Sequence, residues 1–159
     1  NNARCLTTAT LSKALGGYGG FLADRQERIQ RWLTHSAVYV ATSPPPLPIA
    51  AASAAALRIA LAEPQRRERL WQNVALARAG LRALGWDLPD TPVPILCLRA
   101  RPGVDLSTLQ RRLFEADICV AHVTRYTSTP PGGALRIAIF ATHSEDQIRR
   151  LVETIGRLI

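Results

Sequence analysis

The sequence contains almost no lysine: of its 20 basic residues, 19 are arginine and one is Lys13. An arginine guanidinium stays protonated in a protein, whereas a lysine can lose its proton and act as a neutral, nucleophilic amine. The shortage therefore excludes amine chemistry at every side chain except Lys13. Because arginine is favoured throughout the composition, the isolation of Lys13 marks it as a candidate without defining its role.

Methionine is absent altogether. A sequence with no methionine contains no obvious translation start, so we expect a fragment or a processed product of a longer protein. The first residues do not form the charged head and apolar core of a secretory signal. The weakly polar stretch 37–62 is interrupted by prolines and by Arg58, which argues against a membrane span. We expect a soluble, cytoplasmic protein with no membrane partner.

Cysteine is scarce and scattered, at Cys5, Cys97 and Cys119. An odd number of widely spaced cysteines, with no C-x-x-C pair, excludes a disulfide framework and a zinc site. We therefore predict no metal site. Each cysteine lies in an apolar run, so we expect buried thiols.

Long runs of one charge are also absent, although the formal net charge is +8. Arginines alternate with acidic residues in segments such as 25–31 and 66–69, and the tightest basic runs are pairs. This pattern indicates solvated helix faces rather than a nucleic-acid surface, so we predict no nucleic-acid partner. A non-catalytic basic domain that binds an anionic partner through its arginines stays open as an alternative.

Hydrophobic periodicity predicts alternating strands and helices, with a small α+β layer after residue 86 in which helices lie on one side of a sheet. Ser144 and Gln147 form a capping-box start for the last helix. Strands are predicted at 3–11 (buried), 20–23, 93–99, 118–123 and 135–141, an extended segment at 38–43, and helices at 24–32, 48–62, 63–84, 105–115 and 144–158.

Lys13 lies between the first two predicted strands and is followed by four glycines within seven residues. A Walker-type phosphate loop needs its glycines before the lysine, and no G-x-G-x-x-G joins a strand to a helix, so both nucleotide motifs are excluded. Hydroxyl groups precede the lysine at Thr7, Thr8, Thr10 and Ser12. A lysine that forms an imine with a carbonyl needs this arrangement, with hydroxyl donors nearby for a phosphate.

The run Thr10–Gly20 closely resembles the cofactor-lysine segment of the α-oxoamine synthases, pyridoxal-phosphate enzymes of the aminotransferase-like fold. The resemblance continues in order through 39–45, 63–85, 91–95 and 132–148, and so covers nearly all 159 residues. Two positions depart from the family pattern: Ala41 replaces a serine, and Ala134 replaces the first arginine of an Arg-Leu-Arg sequence.

This resemblance implies an α/β fold in two parts. Residues 1–62 would be the C-terminal part of the cofactor-binding large domain, with its strand, lysine, glycine turn and strand. Residues 63–159 would be a small α+β C-terminal domain. The upstream aspartate and histidine that contact the cofactor ring in this family would precede Asn1, so we expect the isolated 159-residue chain to be inactive.

The resemblance also implies a role for five side chains. Lys13 would bond to the pyridoxal phosphate and move the proton at the substrate α-carbon, and Thr10 would contact the cofactor phosphate. Thr42 would reach the phosphate of the neighbouring subunit in a homodimer. Arg136 would hold the amino-acid carboxylate, and Arg125 is a weaker candidate for an acyl or carboxylate contact.

The implied function is an acyltransferase that condenses an amino acid with an acyl-CoA thioester, with loss of carbon dioxide. An aminotransferase of the same fold, which would use a keto acid in place of acyl-CoA, is the alternative within enzymes.

Overall fold

The computed structural model describes residues 6–125 and 131–159. The chain divides into two compact units, Asn1–Glu63 and Pro64–Ile159. In the first unit, β1 (Thr7–Thr10) and β2 (Gly20–Ala23) form an antiparallel hairpin, followed by helices α1 (Gln26–His35) and α2 (Leu47–Ala62). Pro48 lies in the first turn of α2, where its missing N–H costs no helical hydrogen bond.

Two predictions for the first unit were wrong. The strand 3–11 was expected to be buried, but every residue of β1 is exposed, since β1 pairs with β2 alone in a two-stranded hairpin; residues 3–5 lie outside the described part. Residues 38–43 were expected to be extended, but residues 37–41 form turns in which the Tyr39 and Val40 amides donate to Ser36 O. With no strand beside them to pair with, these β-branched and aromatic residues form local hydrogen bonds instead.

The second unit packs three helices against a three-stranded antiparallel sheet of order β3-β5-β4. The sheet places β5 in the centre, with Cys97 of β3 and Ala121 of β4 both opposite Arg136. The elements are α3 (Gln65–Ala83), β3 (Ile95–Arg99), α4 (Leu106–Glu115), β4 (Ala121–Val123), β5 (Ala134–Ala138) and α5 (Glu145–Leu158).

The core of this unit lies between the sheet and its helices. Alternate residues of β5, Leu135 and Ile137, are buried while Arg136 is exposed, so one sheet face is covered and the other is open. Helices α3 and α5 approach closely at Gly80, where an added Cβ would lie 2.8 Å from both Val152 methyl carbons. The buried apolar side chains of the helices include Val74, Ala77, Leu81, Leu106, Leu109, Leu113, Ile148, Leu151 and Ile155.

Two helices of the second unit begin with side-chain caps. Asp105 accepts hydrogen bonds from the Ser107 and Thr108 amides at the start of α4. The hydroxyl of Thr108 also donates to this carboxylate, and this bond above all, followed by the amide bonds, lowers the pKa of Asp105 below its usual value of 3.8. Ser144 and Gln147 form the predicted capping box of α5.

Within the described ranges, no single helix is long and apolar enough to cross a membrane, although α2 and α3 counted as a pair meet that test of length and composition.

Candidate active site

Lys13 is exposed in the turn that joins β1 to β2. Three backbone hydrogen bonds close this turn: Leu11 N donates to Gly19 O over 2.9 Å, Gly17 N to Leu11 O over 2.9 Å, and Gly16 N to Lys13 O over 3.0 Å. The bonds run on both sides of Lys13, so a short closed loop carries the amine. The predicted position of Lys13 between two strands agrees with this geometry.

Two glycines of the turn adopt backbone conformations that other residues rarely take. Gly16 has φ +58° and Gly19 has φ +81°, both in the left-handed region. A Cβ built on either residue would have no atom within 4 Å, so the backbone there faces open space. A ligand can therefore approach the main chain of the turn closely.

Hydroxyl groups lie at the base of the same turn. Thr10 Oγ1 is 2.7 Å from Ser12 Oγ and accepts a hydrogen bond from Ser12 N over 3.2 Å. The Thr10 hydroxyl also donates to Gly19 O over 3.2 Å, which ties the start of the turn to its end. Ser12 is exposed, so the structure adds it to Thr10 as a hydroxyl available for an anionic group near Lys13.

The fourth side chain at this turn comes from α2. Ser53 is 6% exposed, and its hydroxyl has no hydrogen-bond partner. It lies against Gly17, where an added Cβ would be 2.0 Å from Ser53 Oγ. The sequence offered no signal for this contact, because Ser53 lies inside an alanine-rich helix and resembles its small neighbours.

Thr42 lies in the loop after α1. Its hydroxyl donates to Val38 O and its amide donates to Tyr39 O over 3.2 Å, so both bonds stay within this loop. Ala41, at the position of the family serine, has φ +63°, an unusual conformation for alanine. No hydrogen bond described within residues 6–63 joins Thr42 to the Lys13 turn.

Arg136 occupies the centre of the open face of the sheet. Among residues 64–125 and 131–159 it has no acidic partner, so its guanidinium is available to an anionic ligand. Its neighbour Cys97 is exposed, and so is Cys119, which corrects the expectation of buried thiols; Cys5 lies outside the described part. Cys97 is exposed because it shares the open face with Arg136.

Arg136 also lines a cleft of about 610 Å³ between β5, α5 and the segment before β4. We call it the β5–α5 cleft. Its polar lining consists of Asp117, Cys119, Arg136, His143, Gln147 and Arg150, over a floor that includes Ile137, Ile139, Ile148 and Leu151. Arg125 is exposed two residues after β4 and does not line this cleft. The structure therefore offers Arg136 a ligand-sized space that it does not offer Arg125.

A buried asparagine fixes the loop at the edge of the β5–α5 cleft. Asn73 of α3 is 2% exposed, and its Nδ2 donates to Phe140 O over 3.0 Å and to His143 O over 2.9 Å. His143 Nδ1 accepts from Phe140 N over 3.2 Å, and the two rings meet edge to face. The sequence did not single out Asn73, since its partners lie 67 and 70 residues away.

The donor set of the Lys13 turn fits pyridoxal phosphate: an exposed amine, two neighbouring hydroxyls and an open glycine backbone. No group of three metal-binding side chains occurs in the described part of the chain.

Comparisons with known proteins place this chain in a family. The profile of the aminotransferase class I and II family matches residues 1–155. An 8-amino-7-oxononanoate synthase of Nitrosococcus oceani is 35% identical over 155 residues, 97% of this chain and 41% of that protein. A serine palmitoyltransferase of Bacteroides ovatus is 34% identical over 149 residues, 93% of this chain and 38% of that protein.

The solved structure of Sphingomonas wittichii serine palmitoyltransferase superposes on 96% of this chain and 39% of its own, with a TM-score of 0.85 and 26% identity. The superposition shows that this chain shares the α/β fold of that enzyme. The chain belongs to the aminotransferase class I and II family. It spans about two fifths of the length of the relatives named above. The family, fold and cofactor class expected from the sequence are thus confirmed.

Proposed function

We propose that this chain is the C-terminal part of a pyridoxal-phosphate enzyme that joins an amino acid to an acyl-CoA thioester with release of carbon dioxide. The observation that carries the proposal is the exposed amine of Lys13, the sole lysine, in a closed turn between two paired strands. The similarity to 8-amino-7-oxononanoate synthases and to a serine palmitoyltransferase supports the acyltransferase class. In this reading, 1–62 belong to the large domain and 63–159 form the small one.

When bound, pyridoxal phosphate would withdraw electrons from the substrate α-carbon. Lys13 Nζ would hold the cofactor and, as a general base, would accept or return the proton at the substrate α-carbon. Thr10, together with Ser12, would donate hydroxyl hydrogen bonds to the phosphate, and the Thr10 hydroxyl would give up its bond to Gly19 O to do so. Thr42 would do the same for the neighbouring subunit of a cytoplasmic homodimer.

Arg136 would orient the amino acid by gripping its carboxylate. A guanidinium can donate two parallel hydrogen bonds to a carboxylate, and no described acidic side chain competes for it. The β5–α5 cleft beside it has room for a small ligand. Arg125 stays a second candidate for the acyl or carboxylate contact, on its exposure alone.

The direct test is to add pyridoxal phosphate to the full-length protein, reduce with borohydride and map the modified peptide by mass spectrometry. We expect a visible-edge absorbance band and a label on Lys13. Lys13→Arg is the matched control, because it keeps the positive charge but cannot form the imine. A label on another residue, or an unchanged band in Lys13→Arg, would contradict the proposal.

The family also includes aminotransferases by its description, so a second function needs its own assay. Thiol release from a panel of acyl-CoA thioesters with an amino acid present is expected for the acyltransferase. Amino-group transfer to a keto acid without thiol release would instead identify an aminotransferase. If neither the absorbance band nor either activity occurs, the non-catalytic anion-binding alternative remains.

A further inference from the structure

Ser53 is the one buried residue among the described residues of Asn1–Glu63. Burial in this unit therefore centres on a polar side chain rather than on an apolar cluster. Its hydroxyl has no hydrogen-bond partner, although burying an unpaired hydroxyl is unfavourable. Neither the predicted cofactor contacts nor the apolar pattern of α2 accounts for it.

The hydroxyl of Ser53 occupies the space that a side chain at Gly17 would need. A Cβ built on Gly17 would lie 2.0 Å from Ser53 Oγ and 3.2 Å from Ser53 Cβ. Unlike Gly16 and Gly19, Gly17 has no left-handed φ, and the other neighbour of an added Cβ, Leu11 O, would lie at 3.4 Å, an ordinary contact distance. The need for glycine at position 17 thus comes from Ser53 and not from the conformation of the turn.

From this contact we infer that Ser53 is a positioning residue for Lys13, an inference that rests on the proposed function. Gly17 N donates to Leu11 O, which closes the part of the turn that contains Lys13. Helix α2 holds Ser53 against the closing residue of that loop. Displacing Gly17 from Ser53 would therefore displace Lys13 with it.

The test is a double-mutant cycle in the full-length protein. Gly17→Ala is expected to slow borohydride-trappable imine formation at Lys13 by about tenfold to a hundredfold, the scale on which a displacement of about 1 Å affects reacting groups. Ser53→Ala removes the atom 2.0 Å away and Ser53→Gly removes the one at 3.2 Å as well. Combined with Gly17→Ala, Ser53→Ala should restore part of the rate of imine formation, and Ser53→Gly should restore more of it.

Gly16→Ala is the matched control on the same turn. Its cost comes from the left-handed φ of +58° and not from a neighbouring atom, so neither Ser53 substitution should rescue it. Ser53→Val is a second perturbation, since it fills the same space from the helix side and leaves the turn sequence intact. It should slow imine formation as Gly17→Ala does.

Two readouts separate positioning from loss of folding. The absorbance maximum of bound pyridoxal phosphate should shift in Gly17→Ala and return in the double variants. The rate at which an amine-reactive acetylating reagent modifies Lys13, measured without cofactor by peptide mass spectrometry, should change in Gly17→Ala and return in the double variants. Thermal unfolding by circular dichroism shows which variants are folded.

Rescue of Gly17→Ala but not of Gly16→Ala by Ser53→Ala supports the inference. An unimpaired Gly17→Ala, an impaired one that neither Ser53 substitution improves, or a Ser53→Val that forms the imine at the wild-type rate overturns it. If wild-type protein forms no imine at Lys13, the proposed function itself fails. If wild-type protein forms the imine but no Ser53 substitution rescues Gly17→Ala, only the role of Ser53 is refuted and the proposed function stands.

Discussion

Replacing Asn73 by alanine should destabilise the unit Pro64–Ile159 by about 2 kcal/mol. The substitution removes both donors to the Phe140 and His143 carbonyls. Each lost hydrogen bond is worth about 1 kcal/mol, and more where the abandoned acceptor stays buried. Because Phe140 itself is exposed, water can reach part of this loop and replace the lost donors. The total loss of stability should therefore be about 2 kcal/mol rather than about 5 kcal/mol.

Asn73→Asp makes the prediction sharper, since aspartate has the same shape but offers no N–H at neutral pH. Its carboxylate would face two carbonyl oxygens in a site that is 2% exposed, so it should be more harmful than alanine. The assay is urea unfolding of the full chain followed by circular dichroism, with exposed Gln72→Ala as the neighbouring control. The reasoning is refuted if Asn73→Ala unfolds within about 0.5 kcal/mol of wild type, or if aspartate is tolerated better than alanine.

Three further predictions concern other parts of the second unit. In the full-length protein, Arg136→Lys keeps the charge but loses the two parallel hydrogen bonds to a carboxylate, so KM for the amino acid should rise about tenfold or more. Arg99→Lys, on the same open face, should change KM little, and equal effects would argue against a carboxylate contact. The lowered pKa of Asp105 means that its charge stabilises the fold above pH of about 4 and less as pH falls through that pKa. The stability gap between wild type and Asp105→Asn should therefore narrow from pH 7 to about pH 3, and a constant gap in urea midpoints would contradict this. Gly80→Ala should lower the unfolding temperature because the new methyl would lie 2.8 Å from the Val152 methyl carbons. Adding Val152→Ala to Gly80→Ala should restore part of that loss. If the two substitutions instead lower the unfolding temperature additively, this steric cause is excluded.

The helices were predictable because their signals are local. The apolar steps of α3 and the capping box of α5 depend only on residues a turn apart, and both helices lie within two residues of their predicted limits. The predicted strand 118–123 is shorter in the structure, at Ala121–Val123. Its length is set by the residues that lie opposite β5 and not by the sequence of β4 itself. The turn at 37–41 was missed for a related reason: strand propensity has no effect without a partner strand.

The candidate site residues divide in the same way, into those with a local sequence signal and those without one. Lys13 and Arg136 could be predicted as candidates because one is a rare residue type and both lie in a recognisable run of neighbours. Ser53 and Asn73 were not found, because each acts through a contact with a segment distant in sequence. Position in the chain carries no information about such contacts, and a serine among alanines or an asparagine in a charged helix looks ordinary until the fold brings its partner close.

The central place of β5 also has a consequence for how this chain tolerates change. Arg136 is held in register from both sides, by Cys97 and by Ala121. A one-residue slip inside β5 would exchange Arg136 with Ile137 and place a charge in the core. Because both neighbouring strands pair with the same residue, such a slip would have to break two ladders at once.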